Sequence, residues 1–318
     1  MRALAFAALC AAWAPSALAQ TRTAGRIVRL SGGDTVAAGR VQVVLHRVGQ
    51  SGQGPLDTTF TDPAGRFGFR FAPDTASVFL LSARYAGIEY FSRPVSGEPG
   101  RADTSVTLIV ADTSSAQPVS VRQRTLLVSR PDESGTRVVI DWMVLSNRGP
   151  LTRVAPDSVR PSWGGPLPEA AQNVEIADSR LSQFAAEAVA FRGDSALIFA
   201  PLSPGDKELM IQYRIPGALQ QFLVPAAVTE SVFVLLEESG ARVSAPPLVV
   251  ADSQVIEGRP FYRWAGLMGG AGTIEVELAG PRFSQQQLLV LLVALLGGGF
   301  ALLATRALLV GRRRRETG

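Results

Sequence analysis

Short runs of alternating apolar and polar residues recur along the chain and predict β-strands. Residues 66–71 alternate three phenylalanines with two arginines and a glycine, so successive side chains would lie on opposite faces. In residues 137–145, four apolar side chains share one side of a second strand, which we predict to be its core face: Val138, Ile140, Trp142 and Val144. Clusters of Gly, Pro, Asp and Ser separate these runs. The pattern predicts an all-β fold made of β-sandwiches.

The predicted strands fall into two groups on either side of residues 112–118, a segment with no apolar side chain larger than alanine. The first group is 25–30, 41–48, 56–61, 66–71, 78–85, 88–91 and 104–110. The second group is 119–128, 137–146, 173–176, 188–191, 196–199, 207–215, 221–224, 231–236, 248–256, 261–265 and 273–278. We place a domain boundary near residue 116, which gives β-sandwich domains at 20–116 and 117–283.

Turn chemistry is clearest at two places. Asp62, Pro63 and Gly65 occupy the positions that a tight turn favours, so we expect an antiparallel hairpin there. The glycine-rich stretch 269–272 lacks the lysine and the strand-to-helix setting of a phosphate loop. We interpret this stretch as a flexible turn between two strands.

The C-terminal region is the one strongly helical pattern. Leu288 to Thr305 is an uncharged stretch of 18 residues, or about 27 Å of helix, and four arginines at 312–315 follow it. We predict a single transmembrane helix at 284–310 and, from the positive-inside rule, a cytoplasmic tail at 311–318. Residues 280–285 contain no sorting-enzyme signal, which favours retention of this anchor.

The N-terminus has the pattern of a cleaved signal peptide. Arg2 precedes an apolar stretch too short to span a bilayer, and Ala17-Leu18-Ala19 forms a small-residue cleavage site. Residues 1–19 would therefore be removed, and Cys10, the only cysteine, would be lost with them. Because Leu9 stands where lipoprotein processing requires a small residue, we do not expect lipidation. The mature chain would have no cysteine, so it could form no disulfide and could not use a thiolate as a nucleophile or a metal ligand.

The net charge of the exported part differs from that of the whole chain. The chain has 31 Lys and Arg and 27 Asp and Glu, but six of the basic residues and one acidic residue lie in the two termini, which leaves 25 and 26. The high isoelectric point therefore comes from the termini. It gives no ground for a nucleic-acid partner.

A family resemblance appears in the first group of strands. Its residues are Gly25-Arg26-Ile27-Val28, Gly39 to Leu45, Thr61 to Phe69 and Ser82 to Tyr90. Over about residues 22–112 this order resembles the carboxypeptidase regulatory-like family. The resemblance implies a transthyretin-like, seven-stranded sandwich that is grouped with carbohydrate-binding-like folds. The remainder of the chain resembles no family beyond a generic β-sandwich.

Residue types argue against catalysis. His46 is the only histidine, so a zinc site would need almost entirely carboxylate ligands, which is uncommon. We interpret His46 as an exposed or hydrogen-bonded strand residue. Gly193-Asp194-Ser195-Ala196-Leu197 resembles the nucleophile block of GDSL-type hydrolases, but no histidine follows Ser195 to act as its base. A turn leading into a strand explains the block better, and a hydrolase using Ser195 is the weakest alternative.

Carboxylates and aromatic residues complete the candidate sites. Three acidic pairs lie at turns and strand edges without metal-site spacing, namely Asp132 with Glu133, Asp206 with Glu208, and Glu237 with Glu238. We interpret them as solvated charges and predict no catalytic residue, metal or cofactor. Trp163, in the irregular stretch 150–168, and Trp264 are candidate contacts for a sugar ring or a partner. Folding of Trp163 back onto its own sandwich is the alternative.

The predicted membrane helix has one candidate contact surface. Gly297, Ala301 and Thr305 recur every four residues on one helix face, a spacing that allows two membrane helices to approach closely. An inert anchor is the alternative, since small residues are common in such spans.

Together these patterns predict a non-catalytic, single-pass protein of the bacterial cytoplasmic membrane. Its N-terminal domains would be extracytoplasmic, and it would act by binding or assembly with a protein partner of the envelope. Carbohydrate binding is the alternative, motivated by the family resemblance and by four aromatic residues, Trp163, Trp264, Tyr85 and Tyr90.

Overall fold

The structure is a computed structural model, and it describes residues 20–50, 52–177, 182–244 and 248–278. Over these residues the predicted all-β class is confirmed, and a single 3-10 turn at Ala186–Ala188 is the only helical element. No helix within these ranges is both long and apolar enough to cross a bilayer. The predicted signal peptide and the predicted membrane helix at 284–310 lie outside the described residues.

The first half of the chain forms two facing four-stranded sheets. Its strands are β1 (Thr21–Ser31), β2 (Asp34–Ala37), β3 (Gln42–Gly49), β4 (Gly52–Phe60), β5 (Arg66–Phe71), β6 (Val78–Tyr85), β7 (Ile88–Phe91) and β8 (Ala102–Val110). In one sheet β1 pairs antiparallel with β2 and β5 on one side and parallel with β8 on the other. The other sheet has the order β4-β3-β6-β7. Strands β7 and β8 each end their sheet, and they lie close together, so both edges are on the same side of the molecule.

One hydrophobic cluster fills the space between these sheets. Phe67, Phe69 and Phe71 all contribute to it from β5, which confirms the alternation read from the sequence. The intervening Arg66 and Arg70 are exposed. This cluster contains no described residue beyond Val110.

The turn at Asp62 forms, but the predicted hairpin is wrong. Gly65 donates its N–H to the Asp62 carbonyl (2.9 Å), and the Asp62 carboxylate accepts the N–H groups of Ala64 and Arg66. The strands on either side, β4 and β5, belong to different sheets. The Thr61 hydroxyl explains this, because it bonds the Ala38 carbonyl (2.7 Å) and fixes the end of β4 against the start of β3. The turn thus carries the chain from one sheet to the other.

The second half is dominated by one eight-stranded sheet. The strands of the whole second half are β9 (Thr113–Ser114), β10 (Ser120–Val128), β11 (Thr136–Asn147), β12 (Thr152–Arg153), β13 (Trp163–Pro166), β14 (Gln172–Ile176), β15 (Val189–Arg192), β16 (Ser195–Ile198), β17 (Gly205–Pro216), β18 (Gln221–Leu236), β19 (Arg242–Ser244), β20 (Val249–Ile256) and β21 (Arg259–Glu277). The large sheet has the order β14-β17-β11-β10-β18-β21-β19, with β20 also on β21. A small sheet, β13-β16-β15, contributes to the same second hydrophobic cluster.

The predicted core face of β11 is wrong for Val138, Ile140 and Trp142, whereas Val144 is buried as predicted. Along the first part of this strand the fully buried positions are Arg137, Val139 and Asp141, whereas Val138 and Ile140 are only half-buried. Arg137 contacts Glu238, with both nitrogen–oxygen distances at 3.1 Å, and Asp141 pairs with a buried arginine of β10. Ion pairing therefore lets charged side chains occupy the inner face, while apolar side chains lie on the outer one.

The predicted turn at 269–272 is also wrong, because β21 continues through these residues. Gly269 adopts a positive φ of 63° inside the strand, and the pairing of β18 with β21 shifts register between Ala226 and Thr229 and again before Ser231. These irregularities are β-bulges, which bend a strand without ending it. Glycine tolerates the required φ, so it marks a bend here. Strand β18 also continues through these bulges, so the predicted strands 221–224 and 231–236 are parts of one strand.

Residues 113–114, near the expected domain boundary, form a parallel ladder. Strand β9 pairs there with β12, and Val154 donates its N–H to the Ser114 carbonyl (3.1 Å). The segment between the two hydrophobic clusters is therefore held against the second half by backbone hydrogen bonds.

The turn between β10 and β11 repeats the chemistry of the Asp62 turn. Asp132 accepts hydrogen bonds from the hydroxyl and N–H of Ser134 and from the Thr136 N–H. The Ser134 hydroxyl first, and the Thr136 N–H next, lower the pKa of Asp132 from 3.8 to about 2. Since the unfolded chain binds this proton at a higher pH, the stabilisation is complete above the unfolded pKa and is lost as pH falls through the folded one.

We expect Asp132→Asn to reduce the acid sensitivity of the protein between about pH 4 and about pH 2. The measurement is the denaturant midpoint of the full chain at neutral pH and within this window. Ser134→Ala should reproduce part of the change, because it removes the largest cause of the pKa shift. A midpoint that falls as steeply in Asp132→Asn as in the unaltered protein would contradict this explanation.

Candidate binding cleft

A cleft of about 1060 Å³ lies where the first half of the chain meets the second. Its walls are β7 with the following residues 92–95, most of β8, and the segment 201–205 of the second half. The volume is slightly above the range of about 300–1,000 Å³ that is typical of ligand pockets.

Both strands that line the cleft are edge strands. Among the described residues, β7 pairs only with β6, and β8 pairs only with β1. The edge of a sheet presents unpaired N–H and C=O groups. The cleft therefore offers backbone hydrogen-bonding groups as well as side chains.

The side chains of the cleft combine apolar surface with a few charges. Phe91 is 59% exposed and Ile109 is 50% exposed, and each belongs to one of the two edge strands. Arg93 is an exposed cation on the same wall that forms no ion pair with any residue the structure describes. Glu89 and Asp103 are the carboxylates of the lining.

Two sets of hydrogen bonds, one buried and one partly exposed, fix the end of the cleft nearest the second half. The Tyr90 hydroxyl lies 2.8 Å from the Ala111 carbonyl and 2.7 Å from the Thr152 hydroxyl, so one side chain of β7 bridges both halves. Asp112 accepts hydrogen bonds from Arg29 (2.7 Å) and Tyr85 (2.9 Å), while its carbonyl accepts the Thr152 N–H (2.8 Å). The hydrogen bond from Arg29, followed by that from Tyr85, lowers the pKa of Asp112. This end of the cleft is thus preorganised.

The histidine predicted to be a strand residue lies beside the cleft rim. His46 Nε2 is 2.8 Å from the Ser82 hydroxyl oxygen, and that hydroxyl donates to Glu89 Oε1 at 2.7 Å. The hydrogen-bonded interpretation of His46 is confirmed. In a catalytic triad the histidine lies between the serine and the acid, whereas here the serine lies between them and is almost fully buried. The cluster orients Glu89 and offers no exposed nucleophile.

The two candidate tryptophans lie away from the cleft lining. Trp163 and Trp264 are each 8% exposed and belong to the second hydrophobic cluster. A β-carbon at Gly165 would stand 2.8 Å from Cζ2 of Trp163, so the glycine makes room for the indole. This burial supports the alternative in which Trp163 folds back onto its own sheets.

The remaining candidates are not brought together. Among the described residues, the Ser195 hydroxyl bonds only to Asp194 (3.1 Å), at the start of β16. Asp206 pairs with Arg122 (3.0 Å), and no group of three or more metal-binding side chains occurs among the described residues. Gly297, Ala301 and Thr305 lie outside these residues.

The pair Glu237 and Glu238 differs from the expectation of solvated charges, since Glu238 pairs with the buried Arg137 and Glu237 is itself buried. The Glu237 side chain is almost completely buried, and its carboxylate pairs with Arg130 at 2.7 Å and lies 3.6 Å from Arg259. The expectation was wrong for this residue because two arginines distant in sequence reach it.

Sequence reasoning missed the cleft, since its walls are far apart along the chain. One signal was present: residues 104–110 are uncharged, rich in β-branched side chains and free of Pro and Gly. The chain matches no protein-family model and no curated protein.

Proposed function

We propose that this chain is a non-catalytic, membrane-anchored binding or assembly protein of the bacterial envelope, and that the cleft is its binding site. The observation that carries the proposal is the joint exposure of two sheet edges and two large apolar side chains, Phe91 and Ile109, in one cleft. Monomeric proteins rarely leave such surface uncovered without a partner. We favour a protein partner over a carbohydrate because the two candidate tryptophans are buried.

The sequence supports the cellular part of the proposal. We infer a signal peptide at 1–19, two β-sandwich domains at 20–116 and 117–283, a transmembrane helix at 284–310 and a cytoplasmic tail at 311–318. The uncharged stretch 288–305 with arginines after it supports the anchor and its orientation. The facing sheets β2-β1-β5 and β4-β3-β6-β7 are compatible with a carboxypeptidase regulatory-like sandwich at about 22–112. The domains would then act beside the outer face of the cytoplasmic membrane.

The test places a photo-crosslinking side chain at position 91 of the full chain in intact cells. We expect a discrete protein adduct at this position, since Phe91 lies in the cleft. A crosslinker at position 60 is the matched control, because Phe60 is 63% exposed but lies on β4, at the opposite edge of the same sheet. Equal adducts at both positions would contradict a specific cleft, and a glycan adduct at position 91 would favour the carbohydrate alternative.

The orientation can be measured in the same cells. The predicted mature chain contains no cysteine, so Thr104→Cys and Glu316→Cys introduce single labelling sites. A membrane-impermeant maleimide applied to spheroplasts should label position 104 directly and position 316 only after permeabilisation. The opposite pattern would overturn the proposed topology.

A further inference from the structure

We propose that the cleft binds an extended peptide segment of a partner protein, which adds as a strand to the free edge of β8. This inference rests on the proposed function and specifies the partner of the same site. It is carried by the backbone of β8, by the contrast between β8 and the other edges, and by the shape and charge of the cleft.

The backbone geometry shows which groups of β8 are free. Ile27 donates its N–H to the Gly65 carbonyl and accepts the Ala38 N–H, so its backbone faces away from β8. Backbone groups alternate in direction along a strand, so Arg26 and Val28 are the residues that face β8.

Arg26 and Val28 lie opposite Thr107 and Ile109 in the parallel register. In a parallel ladder, a residue bonds to the neighbours of the residue opposite it rather than to that residue. Thr107 and Ile109 therefore direct their N–H and C=O groups away from β1, toward the open edge of the sheet. Four hydrogen-bonding groups are available to an added strand.

The β8 edge lacks the features by which proteins block edge pairing. Such features include charged side chains, proline and bulges. Between Thr104 and Val110 the strand has no charge and no proline, and its one register shift lies at its start, opposite the step from Thr23 to Gly25. A long, uncharged and β-branched edge favours pairing with another strand.

Two other exposed edges, β4 and β20, are blocked in these ways. At β4, Pro55 has no N–H, and the Asp57 carboxylate accepts the Thr58 N–H at 2.7 Å. At β20, Asp252 pairs with Arg263 beside a register shift. Because the same chain protects these two edges, the open β8 edge contrasts with both of them and is available to an added strand.

The cleft fits a single strand better than a second folded copy of the chain. A strand extends a sheet by about 4.8 Å, and side chains of an added strand would alternate between the Ile109 surface and the space between the sheets. The segment 201–205 forms a wall of the cleft. A whole second sheet added to β8 would collide with this wall. Arg93, which follows β7, has no ion partner among the residues described, so a carboxylate on the peptide complements it, whereas a lysine on the peptide would pair with Asp103 at the start of β8.

The experiment uses a panel of synthetic peptides about seven residues long, which alternate valine with threonine. Panel members carry one added glutamate, one added lysine or no charge, at either end. We expect binding to the full chain in nanodiscs, strongest for a glutamate peptide. Hydrogen exchange should slow at the Thr107 and Ile109 amides when the peptide binds. N-methylation of alternate peptide amides should weaken binding about tenfold or more, because it removes donors without changing the protein.

Protein variants supply the matched control. Ile109→Lys should weaken peptide binding about tenfold or more, because a lysine on an edge strand opposes pairing. Phe60→Lys makes a similar change on the protected β4 edge and should leave binding unchanged. Equal denaturant midpoints for the two variants would show that both are folded.

Three results would overturn the inference. They are equal binding of N-methylated and unmodified peptides, exchange protection at β4 or β20 in place of β8, and a dimer of the full chain that Ile109→Lys abolishes. Absence of binding by the whole panel, with a specific protein adduct still formed at position 91, would also reject strand addition while the proposed function stands. Absence of both would reject the two together.

Discussion

Arg124→Met is expected to lower the free energy of unfolding of the second half of the chain by about 3–5 kcal/mol. Arg124 and Asp141 are both buried, and they form two hydrogen bonds, Nε to Oδ1 at 2.9 Å and Nη2 to Oδ2 at 2.5 Å. The substitution would leave the Asp141 carboxylate in the core without its cation. Removing one partner of a buried pair is far more costly than removing both.

The surroundings of the pair indicate how little solvent reaches it. Arg124 also donates to the Pro225 carbonyl at 2.7 Å. Burial lowers the pKa of Arg124, but the charge and hydrogen bonds of Asp141 outweigh that effect, so the pKa lies above its ordinary value. Burial, with the nearby Asp141 charge, raises the pKa of Tyr213 well above its usual value. All three side chains therefore lie in a region of low polarity.

The measurement is the denaturant midpoint followed by tryptophan fluorescence. Trp142, Trp163 and Trp264 all lie in the second half, and the remaining tryptophan is in the predicted signal peptide, so the signal reports on this half alone. The double variant Arg124→Met with Asp141→Leu should recover most of the loss, since no unpaired charge remains. A loss below about 1 kcal/mol in the single variant would mean that solvent reaches Asp141.

The same ion pairs explain where sequence reasoning failed. Alternation in 137–145 predicted the strand correctly, but it assigned the apolar set to the core because an unpaired buried charge is costly. Arg137 and Asp141 lie inside because Glu238 and Arg124 meet them there. These partners are distant in sequence, so a one-strand pattern cannot reveal them. The face of a strand is decided by pairing across the sheet as well as by hydropathy.

Local signals were sufficient for most strands. Residues 66–71, 78–85 and 88–91 were predicted with the bounds that the structure gives to β5, β6 and β7, since apolar alternation and flanking turns are local. The cleft was not predictable in this way. It requires β7 and β8 to end their sheets on the same side of the molecule, and that depends on strand order rather than on any single segment.

Gly25→Ala is expected to destabilise the first half by about 3 kcal/mol and to release β8 from β1. A β-carbon at Gly25 would stand 2.8 Å from the Val106 carbonyl carbon and 2.9 Å from the Val106 β-carbon. It would also lie within the contact radius of the Val106 carbonyl oxygen. Because these are mainly backbone atoms, the strands must separate to admit the methyl group.

Gly68→Ala is the matched control for this effect. Gly68 lies on β5, the other neighbour of β1, and a β-carbon there would meet nothing closer than 3.6 Å. This substitution should therefore be neutral or slightly stabilising, since alanine has less freedom in the unfolded chain.

Hydrogen exchange over residues 102–110 separates the two variants. Gly25→Ala should accelerate exchange along β8 and reduce crosslinking from position 91, because β8 forms a wall of the cleft. The tryptophan-fluorescence midpoint should change little, since no tryptophan lies between Gln20 and Val110. Unchanged exchange in Gly25→Ala would show that the strands can accommodate the methyl group. Equal losses in both glycine variants would mean that glycine at any position of this sheet is required, and the close approach of β1 to β8 would not be the cause.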